Sequence, residues 1–224
     1  MLTTETLPKL QQYFLTQGIY INFIDCNLNW DLDPYRNPYH VLRYMKEIHD
    51  AYRTSTGLFF LSFVGNKYGS IVLPLELSTT DFNNIKNAAS DLNKDVKLLE
   101  RWYLLDDKLS PPAFKLKDPD EDFPNILSRS TSTYDISLRE YQEWNDVYQS
   151  LTDLFTSVLH EKSNLKSKHE TSSLHDIPLL SGVEMLFNYA AKLSSSGCMC
   201  IFRQYDGMHV YLIYFLLRCY FVSD

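Results

Sequence analysis

Helical periodicity or a helix-start signal marks five segments of this chain. They are residues 3–17, 39–54, a stretch that begins at Ser78 or Thr79, 94–105 and 138–160. In the longer segments the apolar side chains fall on one stripe, which is typical of a helix packed on a core. Gly18 is expected to follow the first helix as its cap, because glycine adopts the left-handed conformation without strain.

Three shorter segments have the composition of β-strands. Residues 19–25 (IYINFID) alternate, 58–64 (LFFLSFV) are apolar on both faces, and 113–117 (AFKLK) alternate with lysine. A strand that is apolar on both faces is typical of a parallel sheet covered by helices on both sides. Alternating lysines indicate a strand near a sheet edge. The order of strands and helices along the chain predicts an α/β fold.

The same order predicts one α/β domain over residues 1–160. Two stretches inside it, LKDPDEDFPN and SRSTST, have the composition of solvated linkers. Residues 161–179 are predicted to be a polar linker, and 180–224 a partial continuation of the domain with a hydrophobic end. The run 208–222 is the most hydrophobic, but its roughly 15 residues fall short of the about 20 that cross a bilayer. No membrane span is therefore expected.

The charge balance and the cysteines indicate which partners and sites are not expected. The chain has 28 acidic and 21 basic residues, a net charge of −7, so it has no broad attraction to phosphate backbones and no nucleic-acid partner is expected. Among four cysteines only Cys198 and Cys200 are closely spaced, without a second ligand pair nearby, so we expect reduced, buried thiols and no metal site. No secretory signal is evident at the N-terminus, and a cytoplasmic location is expected.

The segment GNKYG, residues 65–69, separates two apolar runs and has two interpretations. Glycine-rich loops bind phosphate when their N–H groups open into the N-terminus of a helix. The spacing here fits neither a Walker loop nor a dinucleotide loop, and an apolar run follows instead of a helix. A turn that ends a buried strand is favoured over a phosphate site.

Three carboxylates are candidates for chemistry, each with a structural alternative. Asp25 ends a predicted strand, where α/β folds collect functional side chains; alternatively it anchors a loop by accepting backbone N–H bonds. Glu47 lies on an amphipathic helix and has a solvated role as its alternative. Glu100 lies among aromatic residues, where it is either buried or paired with Arg101 or Lys97. The six histidines match no metalloprotease or hydrolase motif.

Two motif blocks, FVGNKYGSIVLPLELSTTDF (63–82) and LLERWYLLDDKLSPPAFKL (98–116), resemble the N-terminal module of the NACHT and WD-repeat domain-containing proteins, a region called DUF4062. The residues that carry the resemblance are Val64, Gly65, Lys67, Tyr68, Gly69, Leu73, Pro74, Glu76 and Leu77, then Leu98, Leu99, Trp102, Tyr103, Asp106, Asp107, Pro111, Pro112, Phe114 and Leu116. Weaker similarity, including a strand that ends in Asp25, extends the resemblance to about residues 5–208.

The resemblance implies a Toll/interleukin-receptor-like (TIR-like) fold, a flavodoxin-like three-layer arrangement in which helices flank a parallel sheet. It also implies an adaptor or interaction module of large signalling ATPases, with protein partners or self-association and no cofactor. The segment around GNKYG would then shape the sheet edge, with Lys67 and Tyr68 as exposed contacts, and Asp25 and the residues of the second block would be further motif or interaction residues. Trp102 and Tyr103 are expected to pack in the core.

Departures from the family leave two alternatives open. The chain starts inside the family's first helix, so the first strand of the sheet is expected to be absent, and no Walker loop of a NACHT ATPase follows. Some domains of related fold cleave NAD with a helix-borne glutamate, for which Glu100, and then Glu47, are the positional candidates. The hydrophobic end matches nothing in the family, so a truncated or misread terminus and an incomplete fragment without its own activity form the other alternative.

Overall fold

The computed structural model describes residues 5–24, 37–64, 69–126, 128, 131–165 and 179–202. The chain divides into two compact units, residues 1–30 and 31–224. The first contains helix α1 (Leu7–Thr16), and Gly18 follows it with φ of +74°. The predicted helix and the left-handed glycine after its end are therefore confirmed. The part of the predicted strand that is described, residues 19–24, forms no regular element, and Asp25 lies outside the described residues.

The second unit contains six helices and five strands in its described part. In chain order they are α2 (His40–Thr54), β1 (Phe60–Val64), β2 (Glu76–Ser78), α3 (Thr79–Asp91), α4 (Val96–Trp102), β3 (Tyr103–Asp106), β4 (Ala113–Leu116), α5 (Pro119–Asp122), α6 (Tyr134–Leu165), α7 (Gly182–Leu193) and β5 (Cys198–Phe202). Single 3₁₀ turns at Thr131–Thr133 and Ser195–Gly197 precede α6 and β5. The unit combines helices with one parallel and one antiparallel sheet, so the predicted mixture of α and β elements is confirmed.

Strands β1 and β5 form a two-stranded parallel sheet. Phe60 lies beside Cys198, and the register continues to the ends of both strands. Helices α2 and α7 contact each other and β1, and the rings of Phe60 and Phe187 meet edge to face with 6.2 Å between centroids. The prediction of a strand over residues 58–64 in a parallel sheet is therefore confirmed.

Strands β2, β4 and β3 form a separate antiparallel sheet in that order. The prediction that AFKLK lies at a sheet edge is wrong, because β4 is the central strand; Lys115 is accommodated by an ion pair with Asp106 on β3, 2.9 Å away. The helix predicted over residues 94–105 ends at Trp102 and passes directly into β3. The last three residues of the predicted helix, 103–105, are stabilised more by backbone pairing with β4 than by a further helical turn.

An aromatic core lies between this antiparallel sheet and helices α3, α4 and α6. Trp102 and Trp144 are fully buried with 4.9 Å between ring centroids, and Phe82 stacks on Phe114 at 3.7 Å. Helix α3 starts where predicted, since the Ser78 hydroxyl accepts a hydrogen bond from the Asp81 amide at 3.0 Å. The Ser78 cap and the burial of these aromatic side chains together stabilise helix α3 and the sheet beside it.

The acidic stretch 116–125 was predicted to be a solvated linker, and this prediction is wrong. The Asp118 carboxylate caps the short helix α5 by accepting from the Asp120 amide, and Phe123 packs in the aromatic core. Asn37, which is buried, donates to the same carboxylate at 2.8 Å. Helix α6 also continues to Leu165, into the segment predicted to be a linker.

In the described part of the chain no helix is long and apolar enough to cross a membrane, and the run 208–222 lies outside that part. The described residues also contain no cluster of histidine, cysteine and acidic side chains that could hold a metal ion.

Candidate interaction surface

The first motif block is described at Phe63 and Val64, which end β1, and again from Gly69 onward, because Gly65, Lys67 and Tyr68 lie outside the described residues. Gly69 has φ of +88°, a backbone conformation that favours glycine over residues with a side chain. A Cβ atom at this position would lie 3.6 Å from the Cβ of Ser181, an ordinary contact. The glycine is therefore required by its backbone conformation and not by crowding.

Two tyrosine hydroxyls hold the segment that follows Gly69. The Tyr103 hydroxyl donates to the carbonyl oxygen of Pro74 at 2.8 Å, and the Tyr148 hydroxyl donates to the carbonyl oxygen of Ile71. Burial raises the pKa of Tyr103 well above its usual value, and the neighbouring Tyr148 and Tyr39 raise it further. The hydroxyl therefore stays protonated as a donor, and Pro74 and Tyr103 join the two motif blocks into one structural unit.

The turn between β3 and β4 carries the exposed part of the second block. Pro111 and Pro112 are exposed, and the Ser110–Pro111 peptide bond is cis. Asp106 accepts from the Lys108 amide at 3.1 Å and pairs with Lys115, whose hydrogen bond lowers the pKa of the Asp106 carboxyl. These contacts explain the shape of the turn without a ligand.

The two candidate catalytic carboxylates lie on different helices. Glu100, on α4, has a 45% exposed side chain and pairs with Lys86 at 2.6 Å, a partner from α3 that was not predicted. Arg101, one of the predicted partners, contacts Asp122 instead, at 3.4 Å. Glu47 is half-buried on α2. An exposed carboxylate in an ion pair lacks the desolvated setting in which enzymes activate such groups.

The two described cysteines face the covered side of the parallel sheet. Both are free thiols, as predicted, but they are half-buried and not fully buried, and Cys198 donates to the carbonyl oxygen of Ser194 at 3.2 Å. Burial raises the pKa of Cys198 to about 11 and also raises that of Cys200. Neither thiol is activated as a nucleophile, since the thiolate is the reactive form.

The opposite face of the parallel sheet is apolar and open to solvent. Leu61 and Phe63 of β1 are 38% and 55% exposed, and Met199 and Ile201 of β5 are 48% and 44% exposed. The register places Leu61 beside Met199 and Phe63 beside Ile201. These four side chains form one continuous patch, called the open face below.

The open face departs from the prediction for residues 58–64. Both faces of this strand were expected to be covered by helices, as parallel sheets usually are, but in the described residues only the face toward α2 and α7 is covered. Continuous exposed apolar patches mark sites of interaction on soluble proteins. Sequence reasoning missed this site because a strand with two apolar faces predicts burial and does not say which neighbour supplies it.

Comparison with known proteins relates the chain to very long relatives. It is 28% identical over 204 residues to NACHT and WD repeat domain-containing protein 2 of Homo sapiens, and the aligned region covers 88% of this chain and 11% of that protein. It is also 28% identical over 205 residues to the Mus musculus protein of the same name. NACHT domain- and WD repeat-containing protein 1 of Homo sapiens is 21% identical over 113 residues, half of this chain. No protein-family model and no solved structure matches. The aligned region thus covers about a tenth of the length of the human and mouse proteins, and the chain is homologous to a segment of NACHT and WD repeat domain-containing protein 2.

Proposed function

We propose that this chain is a non-catalytic protein-interaction module of TIR-like type, acting in the cytoplasm as an adaptor region of a NACHT and WD-repeat signalling protein. The observation that carries the proposal is the open face, where four neighbouring apolar side chains of a parallel sheet are exposed. Homology over 88% of the chain supports the relationship to those proteins.

The chemistry of the open face specifies what kind of partner would bind. Strands β1 and β5 contain no charged residue between Phe60 and Val64 or between Cys198 and Phe202. A partner would therefore bury apolar side chains against Leu61 and Phe63 and would gain from removing that area from water. Aromatic residues and methionine, such as Phe63 and Met199, are enriched in the cores of protein interfaces.

No observation favours the alternative of NAD cleavage. Glu100 is exposed and tied to Lys86, and Glu47 lies on a helix that packs beside the parallel sheet. A helix-borne glutamate alone, without a site that excludes water and orients a substrate, does not make a glycohydrolase.

Site-specific photo-crosslinking in cells tests the proposal. A photoreactive phenylalanine analogue replaces Phe63 in one variant and Met199 in a second, and the matched control replaces Tyr134, which is 62% exposed at the start of α6. We expect covalent adducts with defined proteins at positions 63 and 199 and few at position 134. Equal adduct yields at all three positions, or none, would contradict the proposal.

A further inference from the structure

Strand β5 carries three sulfur-containing side chains in a row. Cys198, Met199 and Cys200 are consecutive in this strand, and successive side chains of a strand point to opposite faces of its sheet. The two thiols lie on the side covered by helices and are half-buried. The Met199 side chain is 48% exposed on the open face. The strand therefore presents its thioether to solvent and shields both of its thiols.

The surroundings of these sulfur atoms decide which of them an oxidant attacks. A cysteine reacts as its thiolate, and burial raises the pKa of Cys198 to about 11 and also raises that of Cys200. A thioether has no proton to lose, so its oxidation is controlled by access and not by ionisation. Among the methionines that the structure describes, Met45 on α2 and Met185 on α7 are half-buried, and Met199 is exposed.

We propose that Met199 is a site of reversible oxidation that converts the open face from an apolar to a polar surface. The inference rests on the proposed interaction function and names the residue that regulates it. A peroxide is the oxidant. The sulfur atom attacks one peroxide oxygen, the O–O bond breaks, an S–O bond forms, and the second oxygen leaves as water with both peroxide protons. Sulfur loses two electrons and the peroxide gains them.

The position of Met199 in the sheet gives the added oxygen its effect. The register places Met199 beside Leu61, and Ile201 lies on the same face beside Phe63. None of these neighbouring side chains has a hydrogen-bond donor for a sulfoxide oxygen. Burying a polar group in an apolar contact without a hydrogen-bond partner is unfavourable. A partner that binds through the open face should therefore bind roughly 5- to 150-fold more weakly after oxidation.

Oxidation rates in the purified chain test whether Met199 is the modified residue. Hydrogen peroxide is added to the folded chain, the thiols are alkylated after unfolding, and peptide mass spectrometry locates the added oxygen. We expect Met199 to oxidise several-fold faster than Met45 and Met185, because only its side chain is exposed among the three. In urea-unfolded chain the three rates should converge. Equal rates in the folded chain would overturn the inference.

Hydrophobic-interaction chromatography measures the change in the surface without any partner. Peroxide-treated wild type should elute earlier than untreated chain, and methionine sulfoxide reductases for both sulfoxide epimers, with dithiothreitol, should restore its retention. Met185→Leu is the matched control and should show the same shift, whereas Met199→Leu should lose most of it. If circular dichroism shows that Met185→Leu is unfolded, Met45→Leu replaces it. An equal shift in Met199→Leu, or unfolding of wild type on oxidation, would overturn the inference.

Photo-crosslinking at position 63 connects the oxidation to binding. The purified photoreactive variant is oxidised, freed of peroxide and irradiated in cell extract, and we expect its adduct yield to fall at least about fivefold and to return after reductase treatment. A yield that oxidation leaves unchanged would refute the inference and leave the proposed function standing. A lack of adducts before oxidation would contradict the proposed function instead, and the oxidation rates and column retention would still decide whether Met199 is the modified site.

Discussion

Replacing Tyr103 by phenylalanine removes a hydroxyl that joins the two motif blocks and leaves the shape of the ring unchanged. The Tyr103 side chain is buried, and its hydroxyl donates to the carbonyl oxygen of Pro74 at 2.8 Å. Phenylalanine fills the same space against Phe155, whose ring lies 5.7 Å away between centroids. The substitution therefore isolates one hydrogen bond from the packing around it.

The expected cost follows from the loss of that bond at a buried position. A neutral hydrogen bond contributes a net 0.5–1.5 kcal/mol, and a carbonyl left without its donor adds a desolvation cost, so we expect the free energy of unfolding to fall by about 1–2 kcal/mol. For a chain of this size such a loss corresponds to a decrease of about 2–8 °C in Tm.

Urea unfolding followed by circular dichroism measures this loss at pH 7. The m-value should stay unchanged, because the variant exposes the same surface on unfolding. Tyr134→Phe is the matched control, since Tyr134 is 62% exposed and its free energy of unfolding should change by less than about 0.5 kcal/mol. A loss in Tyr103→Phe no larger than in this control would refute the role given to the hydroxyl.

The same variant changes the response to alkaline pH. Burial raises the pKa of Tyr103 well above its usual value of 10.0, so folding favours the protonated hydroxyl. Its contribution to stability is complete below about pH 10 and is lost as the pH rises from there toward the folded-state pKa. Wild type should therefore lose stability more steeply than Tyr103→Phe between about pH 9 and pH 11, as measured by urea midpoints; parallel curves would contradict this.

Three further substitutions and one labelling experiment test other parts of the structure. Ser78→Ala removes the cap of α3 and should lower the free energy of unfolding by about 1 kcal/mol in urea titrations. Gly197→Ala would place a Cβ atom 2.5 Å from the ring of Phe59, so we expect a loss of about 1–3 kcal/mol in the same assay. Cys198, with its pKa raised from 9.0 to about 11, should have roughly 100-fold less thiolate than an ordinary thiol at pH 8 and alkylate correspondingly slowly by mass spectrometry. Glu100→Gln breaks only an exposed ion pair, so its stability should change by at most about 1 kcal/mol, and neither it nor wild type should release nicotinamide from NAD.

Elements with a local signal could be predicted from the sequence. Helix α2 follows from apolar residues at helical spacing, and α3 from the Ser78–Asp81 cap, because both signals act between residues close along the chain. Strand β1 was predicted for a similar reason, since a short run apolar on both faces fits a parallel strand.

Elements that depend on distant partners could not be predicted in this way. Tyr103–Asp106 continues a helical pattern, and only its pairing with β4 turns it into a strand. Lysines suggested an edge position for β4, but Lys115 is neutralised across the sheet by Asp106. In the acidic stretch, burial of Phe123 against Trp102 outweighs a composition that is otherwise typical of a linker.

The open face shows the same limitation at the candidate site. A strand such as LFFLSFV predicts that both of its faces are buried, because leaving Leu61 and Phe63 in water forfeits the hydrophobic contribution of each side chain. In the described residues, helices α2 and α7 cover one face of β1 and leave the other exposed, and β5 pairs with one of its edges. The exposed side chains and the unpaired edge belong to the strand itself. A molecule that supplies an apolar face or an unpaired strand could therefore bind there. Photo-crosslinking at Phe63 and Met199, whose side chains are exposed on this face, therefore tests whether a protein partner supplies that apolar face.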